Sequence, residues 1–261
     1  MKQDILSHLP GDFPWQVHWF NTIDSTNDRA KTMAAQGAPH GTVLIAGHQT
    51  KGRGRMGRSF SSPEGMGIYL SVILRPACRA EQLMHLTCAA GVAMCNAVEA
   101  ATGYRPGMKW INDLVANGKK LGGILTELSV DPKSGMVQYA IIGIGINCSQ
   151  TQADFPADIR DIAISLESVT GQKVEPAVLA AAMLRCLQKL DLAAKEEILA
   201  AYKKDCITLG KEIVVLQNEE KRYGIAIGID KDGSLLVTFR DGTTQAVNSG
   251  EVSIRGMYGY V

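Results

Sequence analysis

The densest run of positive charge in the sequence is a glycine-rich segment at residues 52–58. It reads Gly-Arg-Gly-Arg-Met-Gly-Arg and follows Lys51, so four cations lie within eight residues with no acid among them. Glycines let backbone N–H groups approach a ligand closely, and arginines can hold phosphate or carboxylate oxygens through paired hydrogen bonds. The spacing fits neither a P-loop nor a dinucleotide fingerprint. This arginine loop (residues 52–58) predicts a mobile cover over an anionic, phosphate-bearing compound; the alternative is a solvated or nucleic-acid-binding turn.

A second candidate stretch, residues 108–114, begins with a lysine set between apolar residues. Lys109 could stabilise negative charge that develops on a carboxylate or an α-phosphate during a reaction. Asn112 and Asp113 follow it before a predicted strand, and they could orient a nucleotide or magnesium. The alternative is a surface turn in which one of these side chains caps the backbone.

Glycines alternate with isoleucines in a third stretch, residues 142–147, which reads Ile-Gly-Ile-Gly-Ile-Asn. In a strand this pattern removes the side chains from one face and leaves room there for a ligand or another backbone. Close backbone packing alone would explain the pattern equally well. The alternating Glu127, Ser129 and Asp131 are as consistent with a solvent-facing strand as with a site.

Hydrophobic periodicity and turn residues predict the elements that position these stretches. Strands are predicted at residues 17–22, 42–48, 68–74, 114–116, 121–128 and 137–146. Helices are predicted from a cap at Asp24 or Ser25 to about Gln36, and over residues 82–101, 176–190 and 194–204. Asn117-Gly118 predicts a hairpin turn, and residues 50–67 lack a hydrophobic period and form a loop.

After Gly210 the pattern changes to short strands at close spacing. They are predicted at residues 213–216, 223–229, 235–239, 243–247 and 252–255, with Asp232-Gly233 and Asp241-Gly242 as tight turns. This is typical of a small barrel of the Src-homology-3 type. We therefore predict an α+β protein with two domains, residues 1–209 and 210–261.

Composition narrows the class of protein. The net charge of +1 gives no global field that would favour nucleic acid or an anionic membrane, so basic features must act locally. The six cysteines form no Cys-x-x-Cys pair and no zinc spacing, which predicts reduced thiols and a cytoplasmic location. The N-terminus lacks the apolar core of a signal peptide, and no apolar run suggests a membrane span.

Taken together, these stretches resemble the biotin–protein ligase family. The match is ordered and extends over most of the chain: Asp24-Ser25-Thr26-Asn27, Gln49, the arginine loop, Lys109-Trp110 with Asn112-Asp113-Leu114, Lys120-Leu121-Gly122-Gly123-Ile124-Leu125, residues 143–147, then Gly250-Glu251 and Arg255. The resemblance implies a mixed β-sheet backed by helices, like that of class II aminoacyl-tRNA synthetases, with a small C-terminal barrel.

The resemblance also implies a reaction. Biotin is activated by Mg-ATP to biotinyl-5′-AMP, and the biotinyl group then passes to a lysine of a carrier. The expected carrier is the biotin carboxyl carrier domain of acetyl-CoA carboxylase. Magnesium is expected only with ATP, with Asp113 as its candidate neighbour.

Residue roles carried over from the family follow the motifs. Lys109 and Arg55 are expected to be catalytic, with Lys109 bridging the biotin carboxylate and the α-phosphate. Biotin is expected at Ser25, Thr26, Asn27, Gln49, Arg53, Gly54, Arg55, Lys109, Gly122, Gly143 and Gly145. ATP or the adenylate is expected at Arg53, Arg55, Arg58, Phe60, Asn112, Asp113, Asn147 and Arg255.

The sequence departs from the family pattern in a few places. Ile111 stands where proline is usual, which leaves an N–H and a freer φ at that turn. Phe60 stands where tryptophan is frequent beside adenine, and either ring can stack. The first predicted strand begins near Val17, which leaves no room for the N-terminal helix-turn-helix of some relatives. We therefore expect a monofunctional ligase that binds no DNA, with a homodimer as the favoured assembly.

The sequence leaves three competing functions open. A lipoate or octanoate ligase or transferase shares this core fold, although the arginine loop and Lys109-Trp110 favour biotin. A nucleic-acid-binding module would use the basic loop and show salt-dependent affinity. A non-catalytic biotin sensor is the third alternative, and retention of Lys109 with the loop arginines argues against it.

Overall fold

A seven-stranded mixed sheet forms the larger part of the protein. In the computed structural model, residues 1–192, 194–217, 220–248 and 252–256 are described, without the side chains of 191, 192 and 252–256. The strands are β1 (Gln16–Ile23), β2 (Thr42–Gln49), β3 (Gly67–Leu74), β4 (Gly107–Lys109), β5 (Asp113–Ala116), β6 (Lys119–Val130) and β7 (Val137–Asn147). Their order across the sheet is β1-β2-β3-β7-β6-β5-β4. The β1–β2 pair is parallel and the other pairs are antiparallel.

Helices cover this sheet on both faces. They are α1 (Lys2–Ser7), α2 (Thr26–Ala35), α3 (Leu86–Thr102), α4 (Leu166–Thr170), α5 (Pro176–Gln188) and α6 (Lys195–Asp205). The helix α2 packs on β2, β3 and β7, where Ala30 and Ala34 meet Leu44, Ile73 and Ile141. Strand alternation turns the neighbouring residues to the opposite face, where α3 and α5 complete the main core. The predicted mixed sheet backed by helices is confirmed.

The apolar helix α3 lies inside this core. Among the described residues, the segment Ala80–Thr102 is long and apolar enough to cross a membrane by length and composition. The sequence had assigned residues 82–101 to a buried helix. Cys88, Met94 and Cys95 of this helix are fully buried among other protein side chains. Burial in the core therefore accounts for its composition.

A five-stranded antiparallel sheet follows at the C-terminal end. Its strands are β8 (Glu212–Gln217), β9 (Glu220–Ile229), β10 (Leu235–Phe239), β11 (Thr244–Val247) and β12 (Val252–Gly256), ordered β11-β10-β9-β8-β12. The two Asp-Gly dipeptides form the turns on either side of β10, where Gly233 and Gly242 have φ of 88° and 84°. This agrees with the predicted small barrel. Ile213, Ala226 and Leu235 share the apolar cluster of the first sheet, so the division after residue 209 stays a proposal.

Several short elements differ from the predictions. The helix α1 has six residues and β4 has three, too few for hydrophobic periodicity to reveal them. The segment predicted as one helix from residue 82 begins instead with a 3₁₀ turn, Ala80–Leu83, and α3 starts at Leu86. The predicted loop at 50–67 contains a 3₁₀ turn, Arg55–Gly57. Ser25 is confirmed as the cap of α2, because its side chain accepts a hydrogen bond from the Asp28 N–H.

Candidate active site

Two adjoining cavities lie on the face of the sheet that carries α2, beneath the arginine loop. The first cavity is open to solvent, spans about 450 Å³ with the solvent at its mouth included, and lies between the N-terminus of α2, the loop and strands β6 and β7. Its lining is Ser25, Thr26, Asn27, Gln49, Arg53, Gly54, Arg55, Phe60, Asn112, Lys120, Gly123, Ile124, Leu125, Gly143, Ile144 and Gly145. Nine of the residues predicted to bind biotin therefore line one cavity: Ser25, Thr26, Asn27, Gln49, Arg53, Gly54, Arg55, Gly143 and Gly145.

A buried hydrogen-bond network forms one end of the first cavity. The Thr26 N–H and hydroxyl donate to Gln49 Oε1 at 2.8 and 3.0 Å, and Gln49 Nε2 donates to Ser62 Oγ at 2.9 Å. Ser71 Oγ lies 2.8 Å from Thr26 Oγ1 and 2.6 Å from Asn27 Oδ1. Such a network fixes the orientation of each polar group, so this end is suited to a small polar ligand group.

Ser71 was missed by sequence reasoning. It is fully buried on β3, where it follows three apolar or aromatic residues and precedes three more. A single serine in a strand whose other residues are apolar or aromatic was the available signal, because a buried polar side chain requires a partner.

The alternating glycines of β7 make room for two side chains of the site. A Cβ on Gly143 would lie 1.8 Å from Asn27 Oδ1, and a Cβ on Gly145 would lie 2.4 Å from the Phe60 ring. The bare strand face therefore admits the Asn27 amide and the Phe60 ring against the sheet. The sequence left open room for a ligand or close backbone packing. In the structure both glycines line the first cavity, and the atoms closest to them belong to side chains rather than to backbone.

An ion-pair cluster lies at the mouth of the first cavity. Arg53 contacts both Asp28 and Glu127, and Lys31 lies 3.2 Å from Asp28 and 3.0 Å from Glu127. Glu127 also accepts a hydrogen bond of 2.9 Å from Asn27 Nδ2. The solvent-facing alternative for Glu127 is therefore wrong. Strand alternation from Gly123 would have placed it on the site face.

The second cavity is larger, about 1110 Å³ with the solvent at its mouth included, and extends from the arginine loop towards residues 155–163. Its lining is Gly54, Arg55, Met56, Arg58, Ser59, Phe60, Ser61, Lys109, Trp110, Asn112, Asp113, Lys120, Asn147, Phe155, Ile159, Ile162 and Ala163. It therefore collects Arg55, Arg58, Phe60, Asn112, Asp113 and Asn147 of the residues predicted for the nucleotide, together with Lys109. Arg53 was also predicted to bind the nucleotide, but it lines the first cavity, because its side chain forms an ion pair with Asp28.

The two cavities share one wall. Gly54, Arg55, Phe60, Asn112 and Lys120 line both of them. Arg55 Nη1 donates a 3.0 Å hydrogen bond to Asn112 Oδ1, which ties the arginine loop to the turn after β4. Burial lowers the pKa of the Arg55 guanidinium, and the nearby Asp113 carboxylate opposes that effect. A ligand that spans both cavities would pass this wall.

The stretch from Lys109 to Asp113 is fixed from several sides. Lys109 ends β4 and is only 5% exposed. The Trp110 N–H donates to Thr208 Oγ1 at 2.9 Å, and the Trp110 indole donates to Gly233 O at 3.0 Å, in the turn of the second sheet. The indole contact holds this stretch against the C-terminal sheet, a contact that the sequence did not indicate.

Asn112 and Asp113 are held by partners of their own. Asn112 Nδ2 donates to Ile124 O at 3.1 Å, and the Ile124 N–H donates to Asn112 O at 2.9 Å. Asp113 pairs with Lys109 across β4 and β5. Ile111 itself is buried, so the turn without proline is supported by packing and hydrogen bonds.

Two predicted residues do not join the described site. Gly122 lines neither cavity. It pairs with Ile146, whereas the next residue, Gly123, pairs with Gly145 on the site face. Because successive residues of a strand face opposite sides of the sheet, Gly123 rather than Gly122 lines the first cavity. Arg255 lies in β12, but its side chain is outside the described residues, as are Gly250 and Glu251.

The predicted neighbour of magnesium, Asp113, already has a cationic partner. Asp113 Oδ1 accepts a 2.7 Å hydrogen bond from Lys120 Nζ. Within the described residues, no cluster of three or more His, Cys, Asp or Glu side chains could hold a metal ion.

Comparison with known proteins gives matches in both parts of the chain. Residues 19–147 match the biotin/lipoate A/B protein ligase family, and residues 208–255 match the biotin protein ligase C terminal domain. A bifunctional ligase/repressor BirA of Bacillus spizizenii is 38% identical over 226 residues, which cover 85% of this chain and 69% of the relative. A biotin--[acetyl-CoA-carboxylase] ligase of Paracoccus denitrificans is 31% identical over 240 residues, 89% of this chain and 98% of the relative.

A solved structure gives the same fold. The biotin protein ligase from Aquifex aeolicus, in complex with biotin and ATP, superposes with a TM-score of 0.77 at 32% identity, covering 92% of this chain and 99% of the other. The chain therefore belongs to the biotin/lipoate A/B protein ligase family. Within that family its similarity is to the biotin protein ligases, whose C-terminal domain it also carries.

Proposed function

We propose that this chain is an enzyme that activates biotin with Mg-ATP to biotinyl-5′-AMP and transfers the biotinyl group to a lysine of a carrier protein. The observation that carries the proposal is the pair of cavities joined at one cationic wall. The smaller cavity suits the fused rings of biotin, and the larger one suits an adenylate. Their junction is the place for the atoms that react.

The first half-reaction joins two anions, which is its main electrostatic difficulty. A biotin carboxylate oxygen attacks the α-phosphorus of ATP, the bond from that phosphorus to the bridging oxygen of the β-phosphate breaks, and pyrophosphate leaves with both electrons of that bond. Lys109 and Arg55, which both line the second cavity, would supply positive charge where the two anions meet.

The second half-reaction transfers the activated acyl group. An uncharged carrier lysine amine attacks the carbonyl carbon of the mixed anhydride, AMP leaves, and the amine gives up a proton as the amide forms. The arginine loop covers the cavities and would protect the anhydride from water until the carrier arrives. The proposed carrier is the biotin carboxyl carrier domain of acetyl-CoA carboxylase.

Residue roles follow from the two cavities. We assign the polar end with Thr26, Asn27 and Gln49 to the biotin ureido ring. Phe60 and Asn147 are assigned to the nucleotide, where the Phe60 ring can stack on adenine. Arg58 is exposed at the rim of the second cavity and would contact phosphate. The absence of DNA binding, a cytoplasmic location and a homodimer remain predictions.

The test of this function is ATP–pyrophosphate exchange without a carrier protein, run in parallel with biotin, lipoate and octanoate. Exchange with biotin alone would support the proposal. Exchange with lipoate or octanoate instead would mean that the substrate is one of these acids and that the chain is a different member of the same family. No exchange with any of the three acids, in folded protein, would contradict adenylation as the function.

A further inference from the structure

Thr208 lines neither cavity, yet it is bound to the residue that follows Lys109. It lies in the connection between α6 and β8 and is only 1% exposed. Its Oγ1 accepts the 2.9 Å hydrogen bond from the Trp110 N–H. That N–H belongs to the planar peptide group that joins Lys109 to Trp110, so the bond acts directly on the backbone of Lys109.

The connection that contains Thr208 covers the outer edge of β4. The strand β4 is the last one of its sheet, and β5 pairs with it on the inner side. On the outer side, Met108 forms a parallel bridge with Cys206, and the Ile207 N–H donates to Met108 O at 2.9 Å. The Trp110 N–H is the next donor along this edge, because every second residue directs its backbone groups to the same side. The hydroxyl of Thr208 is the acceptor that it finds there.

The indole of Trp110 has an anchor of its own, in the turn between β9 and β10. It donates to Gly233 O at 3.0 Å. Asp230 stabilises this turn by accepting a 2.8 Å hydrogen bond from the Asp232 N–H, and the Asp232 carboxylate lies 2.8 Å from Lys195 Nζ on α6. The side chain of Trp110 is therefore held separately from its backbone N–H. Loss of the N–H contact alone would disturb the peptide group while the indole stays anchored.

We propose that Thr208 is a positioning residue for adenylation, whose hydroxyl fixes the Lys109–Trp110 peptide group and thereby the place of the Lys109 ammonium in the second cavity. This inference rests on the proposed function, which gives Lys109 the task of stabilising charge. Such a charge is effective only where it is preorganised, and a displacement of about 1 Å can lower a rate by about 10²-fold. Without the hydroxyl, the Trp110 N–H is buried with no acceptor, and the backbone would shift to relieve that cost.

The test replaces Thr208 with valine, which keeps the shape of the side chain and removes the hydroxyl. Biotin-dependent ATP–pyrophosphate exchange is measured in the full chain, and kcat is separated from the KM for biotin. We expect kcat to fall by about 10-fold, because a shift of less than 1 Å at Lys109 is sufficient for that. The KM for biotin should stay within about twofold of wild type, since the polar end of the first cavity is untouched. Thr208→Ser restores the acceptor and should exchange within about twofold of wild type.

The matched control is Thr42→Val in β2. Thr42 is also 1% exposed, its hydroxyl donates to Pro39 O at 2.8 Å, and it lines neither cavity. Removing this hydroxyl also breaks a buried hydrogen bond, so the control should lower the thermal midpoint while kcat stays within about twofold of wild type. Thermal midpoints of all variants report whether they are folded. Thr208→Ala, which also lacks the hydroxyl, replaces the valine variant should that one not fold.

The outcomes separate this inference from the proposed function. A wild-type protein without biotin-dependent exchange would contradict both. With an active wild type, the inference fails if Thr208→Val keeps the kcat of wild type or changes only the KM for biotin. It also fails if Thr42→Val loses as much kcat, or if Thr208→Ser is as slow as the valine variant. A loss of about 10-fold in kcat that serine restores, and that the Thr42 control does not share, supports the positioning role.

Discussion

Replacing Gly143 with alanine is the sharpest test of the first cavity. The new Cβ would lie 1.8 Å from Asn27 Oδ1 and 2.6 Å from its Cγ. To restore an ordinary contact of 3.4 Å, the Asn27 amide would have to retreat by about 1.6 Å. It would then lose its contacts with Glu127 at 2.9 Å and with Ser71 at 2.6 Å.

The expected magnitude follows from the biotin contact that the displaced Asn27 amide would no longer make. A buried polar group left without its partner costs about 1–3 kcal/mol, and 1.4 kcal/mol corresponds to a tenfold change in affinity. We therefore expect the Kd for biotin to rise by about 10- to 100-fold in Gly143→Ala. The assay is calorimetric titration with biotin in the absence of ATP, so that nucleotide contacts do not enter.

The matched control is Gly228→Ala in β9. A Cβ there has its nearest neighbour at 3.5 Å, an ordinary contact, and Gly228 lines neither cavity. We expect this variant to bind biotin as the wild type does. If folded Gly143→Ala also binds biotin within twofold of wild type, the Asn27 network does not form the biotin pocket and the reasoning is refuted.

Three further predictions concern charged residues of the site. Lys109→Ala should nearly abolish adenylation, because it removes a buried cation from the meeting point of two anions; near-normal pyrophosphate release would contradict its role. Arg55→Gly should release the adenylate faster, which is measured as the amount of biotin transferred to unrelated amines. An unchanged rate of release would show that Arg55 does not retain the adenylate. Asp28→Asn should tighten biotin binding by up to about fivefold, because the Asp28 carboxylate no longer competes with the ligand for Arg53. Weaker binding in a titration would mean instead that Asp28 holds Arg53 in position.

The sequence predicted much of the fold and of the site, because the strongest signals were local. The Asn117-Gly118 hairpin, the two Asp-Gly turns and the cap at Ser25 depend on a few neighbouring residues with defined turn or capping chemistry. The basic loop and Lys109 were recognised from residue type and spacing, and the structure places them around one pair of cavities.

What the sequence could not supply were contacts between distant segments. The indole of Trp110 reaches Gly233, 123 residues later, and Asn27 reaches Glu127, 100 residues later. Residue spacing along the chain carries no information on such pairs. The position of Lys120 is a similar case: the register between β5 and β6 shifts between Leu114 and Val115, which makes Leu121 an extra residue of β6, and Lys120 and Gly123 both line the first cavity.

The mistaken expectation for Gly122 has the same origin. Two adjacent glycines cannot be distinguished by type, and only the pairing with β7 decides which one faces the cavity. A shift by one residue moves a strand position to the opposite face of the sheet.

The most direct test of the central claim is to look for biotinyl-5′-AMP itself. Purified protein would be incubated with biotin and Mg-ATP, without a carrier, and the bound small molecules identified by mass spectrometry, with Lys109→Ala in parallel. The two-cavity site predicts biotinyl-5′-AMP retained at about one equivalent per chain in the wild type and almost none in the variant. Wild-type protein that binds biotin and ATP but forms no biotinyl-5′-AMP would contradict the proposed function.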